Sequence, residues 1–103
     1  MNIKDFEKAV NKQIERCVST LNAKGTDYAD NAKVDRLNHF KVAAALMETT
    51  PEAALMGMLS KHVASISKMC LSDEAYAIET WDEKITDTIN YLLILAAMLR
   101  ERN

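Results

Sequence analysis

A chain of 103 residues is long enough for one modest core and too short for two. With 49% hydrophobic and 27% charged residues it has a globular profile, and a net charge of -2 leaves no basic excess for a phosphate backbone. Nucleic acid is therefore not an expected partner, and two Gly and one Pro supply too few turns for an all-β fold.

The expectation is a single helical domain over residues 1–103. The longest apolar run, YLLILAAML, is far short of the roughly 20 residues that span a bilayer. The charged, periodic N-terminus is unlike a secretory signal, which makes the cytoplasm the expected location. Cys17 and Cys70 show neither a CxxC spacing nor a neighbouring His or Cys cluster, so they read as small core side chains rather than zinc ligands.

Four amphipathic helices follow in chain order, an all-α compact bundle. The first, about residues 3–23, places Ile3, Phe6, Val10, Ile14, Cys17 or Val18, and Leu21 on one stripe. Gly25 is suited to the left-handed position that ends it. After the loop GTDYADNAK, a second helix over about 31–48 buries Val34, Leu37, Phe40 (or the stem of Lys41) and Ala44, with Leu46 and Met47 closing the stripe. Thr50 before Pro51 signals the next helix start, and Thr49 with Glu52 also fits a capping box. The third helix, about 51–70, carries Leu55, Leu59, His62, Ile66 and Met69 in line, broadened by Met58 and Val63. The last, about 78–101, has Trp81, Ile85, Ile89, Leu92, Leu95 or Ala96, and Leu99 as its core stripe.

Polar residues interrupt these patterns at three places. On the last helix, Glu83, Asp87, Asn90 or Tyr91, Ile94 and Met98 form a second line beside the main one. Asp87 is one turn from both Asn90 and Tyr91, so the three can face one spot. A carboxylate on an apolar border needs hydration, a partner or a ligand; Lys84 or a cation of another helix would suffice. On the third helix, Lys61 and His62 break the apolar run and Ser65 follows one turn later. Lys61 is the natural partner of Asp87 if the third and fourth helices run antiparallel. In the loop, Asp27 and Tyr28 can shape a binding site or simply make a turn with a packed ring.

In this order the motifs resemble a group of small phage and prophage proteins. They are Asp27-Tyr28; Asn38, Phe40 and Ala43; Thr50-Pro51 with Ala54; Lys61, Ser65 and Ile66; and Asp87, Asn90 and Tyr91. Ala29 stands where the loop pattern has Gly. The group is similar in turn to the MazG-like all-α nucleotide pyrophosphohydrolases, which hold magnesium through E-x-x-E/D and E-x-x-D motifs on successive helices. The resemblance implies Asp87, with Glu83, as metal ligands, and Lys61 on phosphate. The paired motifs are incomplete: Lys84 precedes Asp87 by three, and no acid lies between Glu52 and Asp73.

Three functions compete. The first is magnesium-dependent hydrolysis of a nucleotide. The second is binding of a nucleotide or similar anion without catalysis, through Asp27, Tyr28, Lys61, His62, Ser65, Asn90 and Tyr91, in a pocket between the third and fourth helices. The third is a helical factor that meets a host or phage protein, for which Met56, Met58 and Met69 offer an adaptable surface. The nearly all-round apolar stretch 92–99 calls for cover on every side, so a homo-oligomer is expected.

Overall fold

A computed structural model describes residues 1–27 and 35–102, with the side chains of 24–27 outside the description. The fold class is all-α, with helices α1 (Ile3–Asp27), α2 (Asn38–Leu46), α3 (Pro51–Leu71) and α4 (Ile78–Glu101). No helix among the described residues is long and apolar enough to cross a membrane. The chain divides into two units, Met1–Val34 and Asp35–Asn103.

In the first unit, the Asn2 side-chain oxygen accepts the Asp5 backbone N–H at 2.8 Å and opens α1. The helix runs through Gly25 to Asp27, past the stop the sequence suggests at that glycine. A helical Gly costs about 1 kcal/mol relative to Ala, which does not by itself end a helix. Cys17 is buried, as expected, and accepts a hydrogen bond from Gln13 Nε2 at 3.5 Å. Ile3, Phe6, Val10, Ile14 and Val18 are exposed.

The second unit opens with a turn in which Asp35 Oδ1 accepts the Leu37 N–H at 2.9 Å. This side-chain-to-backbone bond competes with helix, so α2 starts at Asn38, later than the periodicity suggests. Residues 31–34 of the expected helix lie outside the described residues. Phe40 and Ala44 are buried as expected, but Leu46 is 81% exposed and Met47 is also exposed. The reason is the early end of α2. The N–H of Thr49 bonds the Ala44 carbonyl at 2.9 Å and that of Glu48 bonds Ala45 at 3.3 Å. Glu48 sits at φ 54°, the left-handed cap position usually held by Gly.

Thr50 then caps α3, its hydroxyl accepting the Ala53 N–H at 3.2 Å, with Pro51 in the first turn. The six-residue link 72–77 returns the chain into α4. Arg102 Nη1 meets Glu52 Oε1 at 3.2 Å, joining the end of α4 to the start of α3, so the two helices are antiparallel. α2 packs on α3. Phe40, Leu55 and Met98 form the core of this unit, with Leu37, Met58, Tyr91, Ile94 and Leu95 against it.

The rotation of α4 corrects the sequence reading. Thr86, Asn90 and Met98 are buried, and Tyr91 and Ile94 pack on the core. The line expected beside the core stripe is thus the packed face. Of the expected core stripe only Leu95 packs against the Phe40, Leu55 and Met98 cluster; Leu92 is 50% exposed, and Trp81, Ile85, Ile89 and Leu99 are half-buried. At 100° per residue that stripe lies roughly 160° around the helix from the packed line, nearly opposite it. Val63 and Cys70 are likewise exposed, roughly 80–100° around α3 from the line of Leu55 and Met69.

Two substitutions check these helix ends. Thr50→Ala is expected to cost about 1 kcal/mol by removing the α3 cap. Glu48→Gly is expected to gain about 1 kcal/mol by relieving a left-handed conformation that a Cβ disfavours. Urea melts of both variants against wild type measure each effect.

Candidate functional site

His62 and Tyr91 come together midway along the α3–α4 hairpin. Their ring centroids are 5.0 Å apart with planes tilted by 43°. Tyr91 also meets Phe40 of α2 edge-on at 6.3 Å, and Phe40 meets His39 edge-on at 5.5 Å. Four rings from three helices therefore form a continuous row. His62 reaches it because the 3.6-residue repeat puts it in line with Leu55, Leu59, Ile66 and Met69 on the packed face of α3.

Beside this row stands an anomaly. Asn90 is only 5% exposed, and neither its Oδ1 nor its Nδ2 has a hydrogen-bond partner among the described residues. A buried amide left unpaired costs about 1–3 kcal/mol, so such groups are rare and call for a cause. Asp87, one turn earlier, is half-buried and makes no ion pair among the described residues. Glu83, a further turn back, is exposed.

Lys61 departs from expectation. It is exposed and does not pair with Asp87. Adjacent helical residues lie about 100° apart, so the turn that brings His62 against Tyr91 carries Lys61 off the packed face. Ser65 is half-buried on the packed side of α3. Tyr28 and the Asp27 side chain lie outside the described residues.

Magnesium asks for oxygen ligands, usually carboxylates with waters and substrate phosphates. Among the described residues no three His, Cys, Asp or Glu side chains converge. Asp87 and Glu83 share one helix, and with no third such ligand beside them the described residues do not by themselves fit a protein-built magnesium centre. Comparison with family models, curated proteins and solved structures gives no match.

A second feature escaped the sequence reading. A cavity of about 300 Å³ opens at the other end of the second unit, among Leu37, Pro51, Met98 and the charged Lys41, Glu101 and Arg102. Lys41 Nζ bridges Asp35 at 2.6 Å and Glu101 at 2.7 Å, tying the turn before α2 to the end of α4. The Lys41–Glu101 pair joins residues far apart in sequence, so no local pattern announces it.

The hydrogen bond from Lys41, then the one from the Leu37 N–H, lower the Asp35 carboxyl from its ordinary value. The bonds to Asp35 and Glu101 raise Lys41. A depressed carboxyl stabilises the fold above its unfolded value, and that contribution fades as pH falls through the folded one. A raised Lys contributes below its unfolded value and loses that contribution as pH climbs through the folded one. Asp35→Asn is therefore expected to lower the melting temperature at neutral pH, and the difference is expected to disappear as pH falls far enough to protonate the lowered wild-type carboxyl. Melting curves across that range check the sign.

Proposed function

We propose that the α3–α4 hairpin binds a small planar polar molecule of the nucleotide type directly, without turning it over. The observation that carries this reading is the Asn90 amide, buried with donor and acceptor both unspent. An amide presents a donor and an acceptor side by side, the pattern that pairs with a nucleobase edge. Asp87, one turn away, adds an acceptor for a ring N–H. The His62–Tyr91 pair offers aromatic surface for stacking.

Binding is favoured over hydrolysis because the carboxylates among the described residues do not cluster. Metal-assisted attack on phosphorus needs acids that hold the ion as well as a site for the anion. The available groups instead suit direct recognition, with one amide, one carboxylate and two rings.

The test exploits the cost of Asn90. A panel of nucleosides and nucleotides in the presence of a chelator is expected to contain at least one compound that raises the melting temperature of the wild type. Asn90→Leu, similar in volume and without polar atoms, is expected to raise the ligand-free stability by about 1–3 kcal/mol and to abolish the ligand-induced rise. A panel with no effect on the wild type, or a ligand response that survives Asn90→Leu, would overturn the reading.

A further inference from the structure

We infer that the Asn90 site selects purines that carry an amino group at carbon 2, and that Asp87 is the residue that reads this group. The selectivity rests on the direct-binding reading above and gives its ligand a chemical class. Both atoms of the Asn90 amide are buried and unspent among the described residues. No such bond fixes which of them points along α4 toward Asp87. An amide turned by 180° exchanges its donor and its acceptor. The free amide therefore pairs with an acceptor followed by a donor, or with a donor followed by an acceptor.

The carboxylate beside it has no such freedom. Asp87 precedes Asn90 by three residues, which sets it about 4.5 Å away along α4 and roughly 60° around it. It is half-buried and makes no ion pair or hydrogen bond among the described residues. An ionised carboxylate only accepts, whatever its rotamer, and at a partly buried position it needs a donor. Asn90 and Asp87 together thus present three groups in a row, the last of them fixed as an acceptor.

Only one class of base matches that row along its pairing edge. Guanine offers a carbonyl oxygen, a ring N–H and the 2-amino group in line. A 2,6-diaminopurine offers an amino group, a bare ring nitrogen and the same 2-amino group. Each satisfies Asn90 in one of its two orientations and gives Asp87 an N–H to accept. Adenine and hypoxanthine satisfy the amide equally well but turn a C–H toward Asp87. Cytosine and uracil turn a carbonyl oxygen toward it, so that two acceptors face each other. A hydrogen bond to a charged acceptor is about twice as strong as a neutral one, and a site built for an N–H rejects an analogue that lacks it. Stacking on His62 or Tyr91 adds affinity for any base and leaves the choice to the edge.

Calorimetric titration in the presence of a chelator tests this with nucleoside pairs that differ only in the 2-amino group. Guanosine is compared with inosine, and 2-aminoadenosine with adenosine; cytidine and uridine complete the set. The wild type is expected to bind the amino member of each pair at least about tenfold more tightly. Asp87→Ala is expected to bring guanosine down to the affinity of inosine, with inosine itself unchanged and helix content by circular dichroism as in wild type. Asp87→Asn keeps an acceptor without the charge and is expected to retain part of the preference. Equal affinities within each pair for the wild type, or a preference that survives Asp87→Ala, overturns the 2-amino selectivity and leaves direct binding at Asn90 standing. Binding of cytidine or uridine alone does the same. A wild type that binds none of the six overturns the direct-binding reading as well.

Discussion

The α3–α4 contact is the constraint on which the second unit depends, because it decides which side of α4 is spent on the hairpin. The six-residue link leaves little choice but an antiparallel return. The Arg102–Glu52 pair and the Lys41 bridge pin the far end, although such exposed ion pairs contribute little to stability individually. Between these limits the rotation of α4 is set by packing. Tyr91, Ile94, Leu95 and Met98 meet Leu55, Met58 and Phe40, which buries rings and long aliphatic chains together. That choice carries Thr86 and Asn90 inward and leaves the regular apolar stripe outside.

What the residues disclose before folding follows from how local each determinant is. Thr50-Pro51 announces the start of α3 because a capping hydroxyl and a fixed φ act within one turn. The bounds of α4 were also readable, since its apolar pattern persists for the whole helix. The end of α1 was not, because a single Gly is a weak stop. The cap of α2 was hidden for the opposite reason: Glu48 adopts a conformation that its side chain gives no cause to expect.

The face of α4 was illegible in a more basic way. A helix with two apolar lines satisfies a periodicity test on either, and only the shape of its neighbours decides between them. The Asn90, Tyr91 and Met98 line reads as the poorer core because of its polar members, yet its large side chains fit the space beside Phe40 and Leu55. The same limit applies to the candidate site. That His62 faces α4 follows from its place in the α3 repeat, and the identical repeat excludes its neighbour Lys61. Treating the two as one cationic group overlooked the 100° between them. Nothing in the sequence marks the Asn90 amide as unpaired, since pairing depends on every atom around it.

The two unusual features of α4 are connected through that single rotation. An unpaired amide inside the protein and an apolar stripe outside it are both unfavourable, and turning α4 about its axis would relieve both. The observed rotation persists at the expense of each, which means the hairpin contact outweighs them in the isolated chain. A ligand that satisfies Asn90 favours this rotation over any alternative, because an α4 turned the other way would carry the amide into solvent, where water competes for it. On the proposed reading, binding at the inner face draws its favourable energy from a group that the free chain leaves unsatisfied.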